Sequence, residues 1–466
     1  MMKFTVLRNS ETALSLTMIF CIIGYFMFKT SYRYLGDIFQ TVLYLVTLFA
    51  ICFYRIDIKK SRVFQLFLIS IIIQIISWSN LSQLDPTYKN KLSLTWLGYF
   101  FIFFIVAFWL KGDNKKINLT MISFVIGTIL TCLLHSNSII YDYSRIINGY
   151  RTDYNFMNAN HSAALLSTSL IIITYLISTI RVNIIKLVPL LILTTITIFL
   201  LMGTQSRSAY VSLAIPLLIL VRFSFKKNKI NFLLTTIITL GVTSSFFYSS
   251  LPRVGTEVET FQKEYELSVE DEVVITDKIN RNQTVSSHSD SDSEKSKFLV
   301  VKTKEVKTLR EKTLVSLDNI SNKIPYTSVG FRLHFWIDTI KQSIVNPIFG
   351  LGNNANKYIL ENSVNAKVYQ KHNFQHLHSS YMELIASYGL VGIILLAILY
   401  THVFKIARNR GSRDIFIFAV CLYSFLGVLN LFESYLFVKS GVLIHTLALG
   451  VLYSYNFKGD IENENK

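Results

Sequence analysis

The chain has 466 residues, 51% of them hydrophobic and only 16% charged, and its apolar residues come in runs of about 20, the length that crosses ~30 Å of hydrocarbon. Stretches such as Leu187 to Leu201 carry no charge on any side, which excludes the alternating strands of a β-barrel and leaves an all-α polytopic membrane protein embedded in the lipid bilayer. The net charge of +17 is scattered over short loops beside the apolar runs, which is a topological signal; no nucleic-acid partner is expected.

About twelve spans are predicted, near residues 11–29, 36–54, 63–79, 93–110, 117–135, 160–180, 184–202, 207–222, 230–248, 379–403, 413–432 and 437–456. The first follows Lys3 and Arg8, is long and lacks a small-residue cleavage site, so it reads as a retained helix. Basic connections at Arg55/Lys59/Lys60/Arg62, Lys111/Lys115/Lys116, Arg181/Lys186, Arg222/Lys226/Lys227/Lys229 and Lys405/Arg408/Arg410/Arg413 fall on one side of the alternation. They mark that side as cytoplasmic, with both termini on it. The connections 137–159 and 203–206 and the long 251–378 loop are then expected on the outer face. Cys21, Cys52, Cys132 and Cys421 all fall inside spans, so neither a disulfide framework nor a CxxC metal site is visible.

This pattern divides the chain into residues 1–159 with spans 1–5, 160–250 with spans 6–9, the outer loop 251–378, and 379–466 with spans 10–12. Within the loop, residues from about 256 to 325 are too polar to bury a face, with Ser286 to Lys295 at their centre, and read as an insertion. The flanking Phe298–Leu317 stretch fits either a short amphipathic helix or a strand. After Pro325 a helical period returns through Phe331, Phe335, Ile337, Ile340 and Ile344, closed by Asn346-Pro347 and by Gly350 and Gly352.

Three patches carry residues suited to chemistry. In Gly203-Thr204-Gln205-Ser206-Arg207-Ser208-Ala209-Tyr210, Arg207 sits at the outer start of a helix. Such an arginine either snorkels to the headgroups or joins the helix-terminal amides in binding a phosphate or diphosphate. Arg332 lies four residues before Trp336, on one helical face with it: either an interfacial anchor, or a planar fork matched to diphosphate oxygens. In His376-Leu377-His378-Ser379-Ser380-Tyr381-Met382-Glu383, a histidine at a helix mouth suits a general base for a hydroxyl acceptor. His372, His376 and His378 are also candidate metal ligands, although no cysteine or carboxylate triad accompanies them, and no metal or other cofactor is expected. Glu383 either orients His378 or opens the helix.

Taken together, these patches resemble the O-antigen ligase and Wzy-type polymerase superfamily of bacterial envelope glycan enzymes. The resemblance rests on Thr204, Ser206, Arg207, Ser208 and Ala209 at a helix start; on Arg332, Trp336, Pro347, Gly350 and Gly352; and on His378, Ser379, Tyr381 and Glu383 before Gly389 and Gly392. Asn158-Ala159-Asn160 is similar to the family's Asn-Pro-Asn element, with alanine for proline, and Ser379 stands where asparagine is often found. The resemblance covers about residues 155–395.

It implies an enzyme of the inner membrane that works on the periplasmic face. Such an enzyme moves a glycan en bloc from undecaprenyl diphosphate to a hydroxyl, without a metal. Arg207 and Arg332 would bind the diphosphate and His378 would activate the acceptor, with Asn160, Ser206, Trp336, Ser379, Tyr381 and Glu383 in support. The His-Leu-His-Ser stretch followed by Glu383 favours a ligase that attaches O-antigen to lipid A core. A polymerase that joins lipid-linked repeat units onto a glycan acceptor is the alternative. A transporter of lipid-linked sugars is more distant, because few charges lie in mid-span. The first five spans carry no motif and are expected to shape a lipid-facing groove.

Overall fold

The computed structural model describes residues 2–53, 61–93, 101–180, 183–251, 309–321 and 323–458, with 255, 258–259 and 262–263 between them. Among these every regular element is a helix. The first ten are α1 (Met2–Phe28), α2 (Arg33–Phe53), α3 (Arg62–Leu84), α4 (Ile102–Leu110), α5 (Asn114–His135), α6 (Ile139–Ile147), α7 (Ala159–Thr179), α8 (Ile184–Thr204), α9 (Arg207–Phe225) and α10 (Lys229–Ser249). Four helices of the loop follow: α11 (Leu309–Ser321), α12 (Ser328–Ser343), α13 (Ala355–Asn362) and α14 (Ala366–Lys371). The chain closes with α15 (Ser380–Arg410), α16 (Arg413–Phe432) and α17 (Lys439–Tyr453).

Nine helices among the described residues are long and apolar enough to cross a membrane, against about twelve predicted spans. The predicted first, fourth and twelfth spans are the shorter ones. The apolar part of α1 is Ala13–Phe28, α4 has nine residues after an undescribed 94–100, and α17 has 15 before a 3₁₀ turn at Ser454–Phe457. The centre of the polar insertion, Ser286 to Lys295, lies outside the described residues, as does 298–308. The rest of the stretch that fitted either helix or strand belongs to α11.

Helix α7 is the axis of the bundle and packs against α5, α8, α9, α10, α16 and α17. Its buried Ser162, Ala163, Ala164, Ser167 and Thr168 explain this. Lipid tails are as apolar as leucine, so small side chains that let backbones approach are what draw helices together. Asn158 starts α7 by accepting from the amides of Asn160 (2.9 Å) and His161 (3.1 Å).

Helix α12 lies on α15, with Phe331, Phe335 and Ile337 buried as the helical period requires, while Ile340 is exposed. Beyond α12, the two glycine motifs prove to be a single joint. Gly389 (φ 58°, ψ −155°) breaks α15, and the carbonyls of Ala386 and Ser387 turn to the amides of Leu351 (2.8 Å) and Gly352 (2.7 Å). In return the amides of Leu390 and Val391 donate to the carbonyls of Pro347 (2.9 Å) and Ile348 (3.1 Å). The loop before α15 thus satisfies the backbone groups that the kink releases, as a low-dielectric setting demands. A Cβ on Gly389 would lie 2.4 Å from the Ile348 carbonyl oxygen, in a backbone region open almost only to glycine. Gly389→Ala is therefore expected to destabilise the protein by about 1–3 kcal/mol or more, read as a lower melting temperature of the detergent-solubilised chain; an unchanged melt would contradict this joint.

Candidate active site

At one end of the bundle the starts of α7, α9 and α15 meet the ends of α8 and α16, and α12 covers them. His378 precedes α15 in the left-handed backbone region (φ 51°), a placement that costs a non-glycine residue energy and recurs at functional sites. Its ring stacks on Phe335 (centroids 5.8 Å apart, 22° between planes) and stands perpendicular to Phe374 (5.7 Å, 88°). The imidazole Nδ1 donates to Oε2 of Glu433 (2.9 Å).

Glu433 follows α16, and its side chain is almost wholly enclosed. Its other oxygen, Oε1, accepts from Asn160 Nδ2 (2.7 Å) and lies 3.7 Å from Arg332 Nη2. Burial pushes this carboxyl up. The hydrogen bond and charge of His378, followed by the charges of Arg332 and His161, outweigh burial and hold it at about 2. Glu433 is therefore a fixed anion that orients the imidazole and presents its Nε2 away from the carboxylate.

Asn160 extends the network to the other arginine motif. Its Oδ1 accepts from Ser206 Oγ (3.0 Å) and from Arg151 Nη2 (3.1 Å), and Arg151 Nε also donates to the Thr204 carbonyl (3.1 Å). The Ser206 hydroxyl, turned to Asn160, makes no capping bond to the first amides of α9. Arg207, half-buried, opens that helix beside them. A continuous chain of polar contacts therefore runs from Ser206 through Asn160 and Glu433 to both His378 and Arg332.

Of the residues singled out in the sequence, the network joins Asn160, Ser206, Arg332 and His378, with Arg207 next in the chain to Ser206. Trp336 lies one turn after Arg332 on α12, and Ser379 follows His378 in the chain. Among the described residues, Arg332 Nε, Trp336 Nε1 and Ser379 Oγ are buried without a hydrogen-bond partner. Such orphaned polar atoms are costly in a finished core and suited to a ligand.

Two residues lie elsewhere. Tyr381 donates to the Gly427 carbonyl on α16 (2.9 Å). Glu383 does not orient His378: it accepts from His376 Nδ1 (3.1 Å), the Leu377 amide (2.9 Å) and Ser434 Oγ (2.7 Å). The three histidines take different partners: His372 packs on Phe331 and Phe374, His376 bonds Glu383 and His378 bonds Glu433. Among the described residues no group of three or more His, Cys, Asp or Glu side chains is placed to hold a metal ion.

Sequence reasoning missed Glu433 and Arg151. The available signal was the lone acid of Phe432-Glu433-Ser434-Tyr435 between two apolar spans, and the arginine of Tyr150-Arg151-Thr152 just before Asn158.

None of the curated proteins matches the chain. Residues 190–397, which hold Arg207, α12, His378 and the joint at Gly389, match the family described as O-antigen ligase. The chain is thus similar to the O-antigen ligase family over those residues, a little under half of its length.

Proposed function

We propose that this protein is a metal-independent glycosyltransferase of the bacterial inner membrane. In this reading it moves a glycan en bloc from undecaprenyl diphosphate to an acceptor hydroxyl on the outer face. The observation that carries the reading is the contact of Glu433 with both His378 and Arg332, at the mouth of the helix that begins with Arg207.

His378 Nε2 takes the proton of the acceptor hydroxyl, and that oxygen attacks the anomeric carbon of the glycan. The bond from this carbon to the phosphate oxygen breaks, and undecaprenyl diphosphate leaves with the electron pair. Arg207, Arg332 and the first amides of α9 meet the charge that grows on the leaving diphosphate. The orphaned Arg332 Nε, Trp336 Nε1 and Ser379 Oγ supply further hydrogen-bonding atoms for the two substrates.

Transfer of O-antigen to lipid A core is the favoured reaction, because the His-Leu-His-Ser stretch and Glu383 are similar to ligase loops. Joining of lipid-linked repeat units is the alternative outcome of the same chemistry. A deletion strain separates them by its lipopolysaccharide profile: unlinked long chains on the carrier mark a ligase, and single-unit caps mark a polymerase. An unchanged profile would overturn both. Arg207→Ala and Arg332→Ala are each expected to lower the rate of transfer about 10²–10³-fold while the protein still inserts.

A further inference from the structure

Beside the network, α1 and α2 face the loop helices α13 and α14 across a cavity of about 1050 Å³. That volume is at the top of the range for ligand pockets, about 300–1,000 Å³, so it suits an extended ligand. Its loop-side wall is a run of carboxamides: Asn353, Asn356, Gln370, Asn373 and Gln375, with Gln40 opposite. A carboxamide carries donors and an acceptor together, the pairing that vicinal sugar hydroxyls require. Gln40 is engaged with Lys29 and Tyr44, and Asn356 donates to the Gln375 carbonyl (2.7 Å), which leaves Asn353, Gln370, Asn373 and Gln375 as the groups for a sugar. Tyr25, Tyr44 and Phe374 add aromatic surface for the C–H faces of sugar rings.

The charges on the wall are largely spent on one another. Lys29 and Arg33 flank Asp37 (2.5 and 3.6 Å), Lys357 lies 3.7 Å from Glu361, and Glu383 accepts from His376 (3.1 Å). Such a lining matches a polyhydroxylated chain better than a diphosphate, which the arginines of the network already suit. The cavity ends one ring from the imidazole: Phe374 lines it and stands perpendicular to the His378 ring (5.7 Å between centroids), and His376 lines it as well, while His378 itself does not.

We propose that this cavity is a glycan subsite that seats several sugar rings of one substrate away from the reacting carbon, with the Phe374 ring between its nearest sugar and His378. The proposal rests on the transfer reading above, and assigns the first two helices a part in binding sugar in addition to shaping a lipid-facing groove.

The test uses the full chain in detergent, with the lipid-linked glycan and the acceptor of the same host as substrates. Asn353→Trp, which fills the cavity, and Gln370→Ala, which removes one carboxamide, are compared with Val364→Ala on the exposed outer surface. Asn353→Trp is expected to raise the KM of one substrate about tenfold, with kcat falling less than about threefold; Gln370→Ala should raise the same KM by less. A rise for the acceptor assigns the cavity to the acceptor chain, and a rise for the donor assigns it to the transferred glycan. Saturation-transfer NMR with the oligosaccharide released from each substrate by mild acid should show binding to the wild type that Asn353→Trp abolishes. Both KM values within twofold of wild type in Asn353→Trp, or no transfer of saturation to either oligosaccharide in the wild type, would overturn the subsite. A His378→Ala protein with normal transfer would instead overturn the catalytic reading and leave the NMR result to decide the cavity.

Discussion

His378→Ala should insert normally and purify as a folded protein, yet transfer glycan about 10²–10⁴-fold more slowly than the wild type. Imidazole is the side chain suited to taking a proton from a hydroxyl near neutral pH, and His378 is the one histidine in the network. Its neighbours are poor bases by comparison, since Glu433 is held at about 2 and already shared among three partners, and arginine stays charged. The variant should still bind the lipid-linked glycan, because Arg207, Arg332 and the start of α9 are untouched. Its loss therefore belongs in kcat, measured with purified protein and saturating donor, and a loss confined to KM would argue for a binding role instead.

Glu433→Gln should cost nearly as much, although it changes one atom. Two oxygens are in use: Oε2 accepts from His378 and Oε1 accepts from Asn160 and faces Arg332. Glutamine has one acceptor and one donor. If its oxygen stays with Asn160 and Arg332, its NH₂ meets His378 Nδ1, which must then lose its proton. The imidazole is driven to the tautomer with hydrogen on Nε2, which cannot accept from the acceptor hydroxyl. If the amide turns the other way, its NH₂ confronts Asn160 and the guanidinium. A comparable tautomer error in hydrolytic triads costs about 10⁴ in kcat, and a loss of about 10²–10⁴-fold is expected here.

The pH dependence has a definite sign. The carboxyl of Glu433 is depressed in the folded protein, so its contribution to stability is present above the ordinary carboxylate range and fades only as pH falls toward about 2. The acid limb of transfer activity at milder pH should therefore report a group other than Glu433.

Much of this architecture was legible because lipid imposes it. Runs of about 20 apolar residues have few folds open to them, and Phe331, Phe335 and Ile337 announced the buried face of α12 by period alone. The fourth span was harder, since only its last nine residues form a described helix. Arg207, Arg332 and His378 were legible as types of residue in types of place, and the resemblance gathered them. Glu433 was not, because an acid after a span looks like any loop residue. Its meaning comes from partners 273 positions away at Asn160 and 55 away at His378, and no local pattern encodes such a meeting. Glu383 misled for the converse reason: five residues from His378, it is near in sequence, but α15 turns it toward His376. The glycines of the Gly389 joint were visible as motifs, while their shared role in closing backbone hydrogen bonds between loop and kink emerges only in three dimensions.

The most direct measurement is a double-mutant comparison of kcat for transfer by purified wild type, His378→Ala, Glu433→Gln and the pair combined. If the carboxylate acts through the imidazole, the double variant should be no slower than His378→Ala alone, as expected for groups that work as a unit. Losses that multiply, or transfer near the wild-type rate in either single variant, would contradict the account.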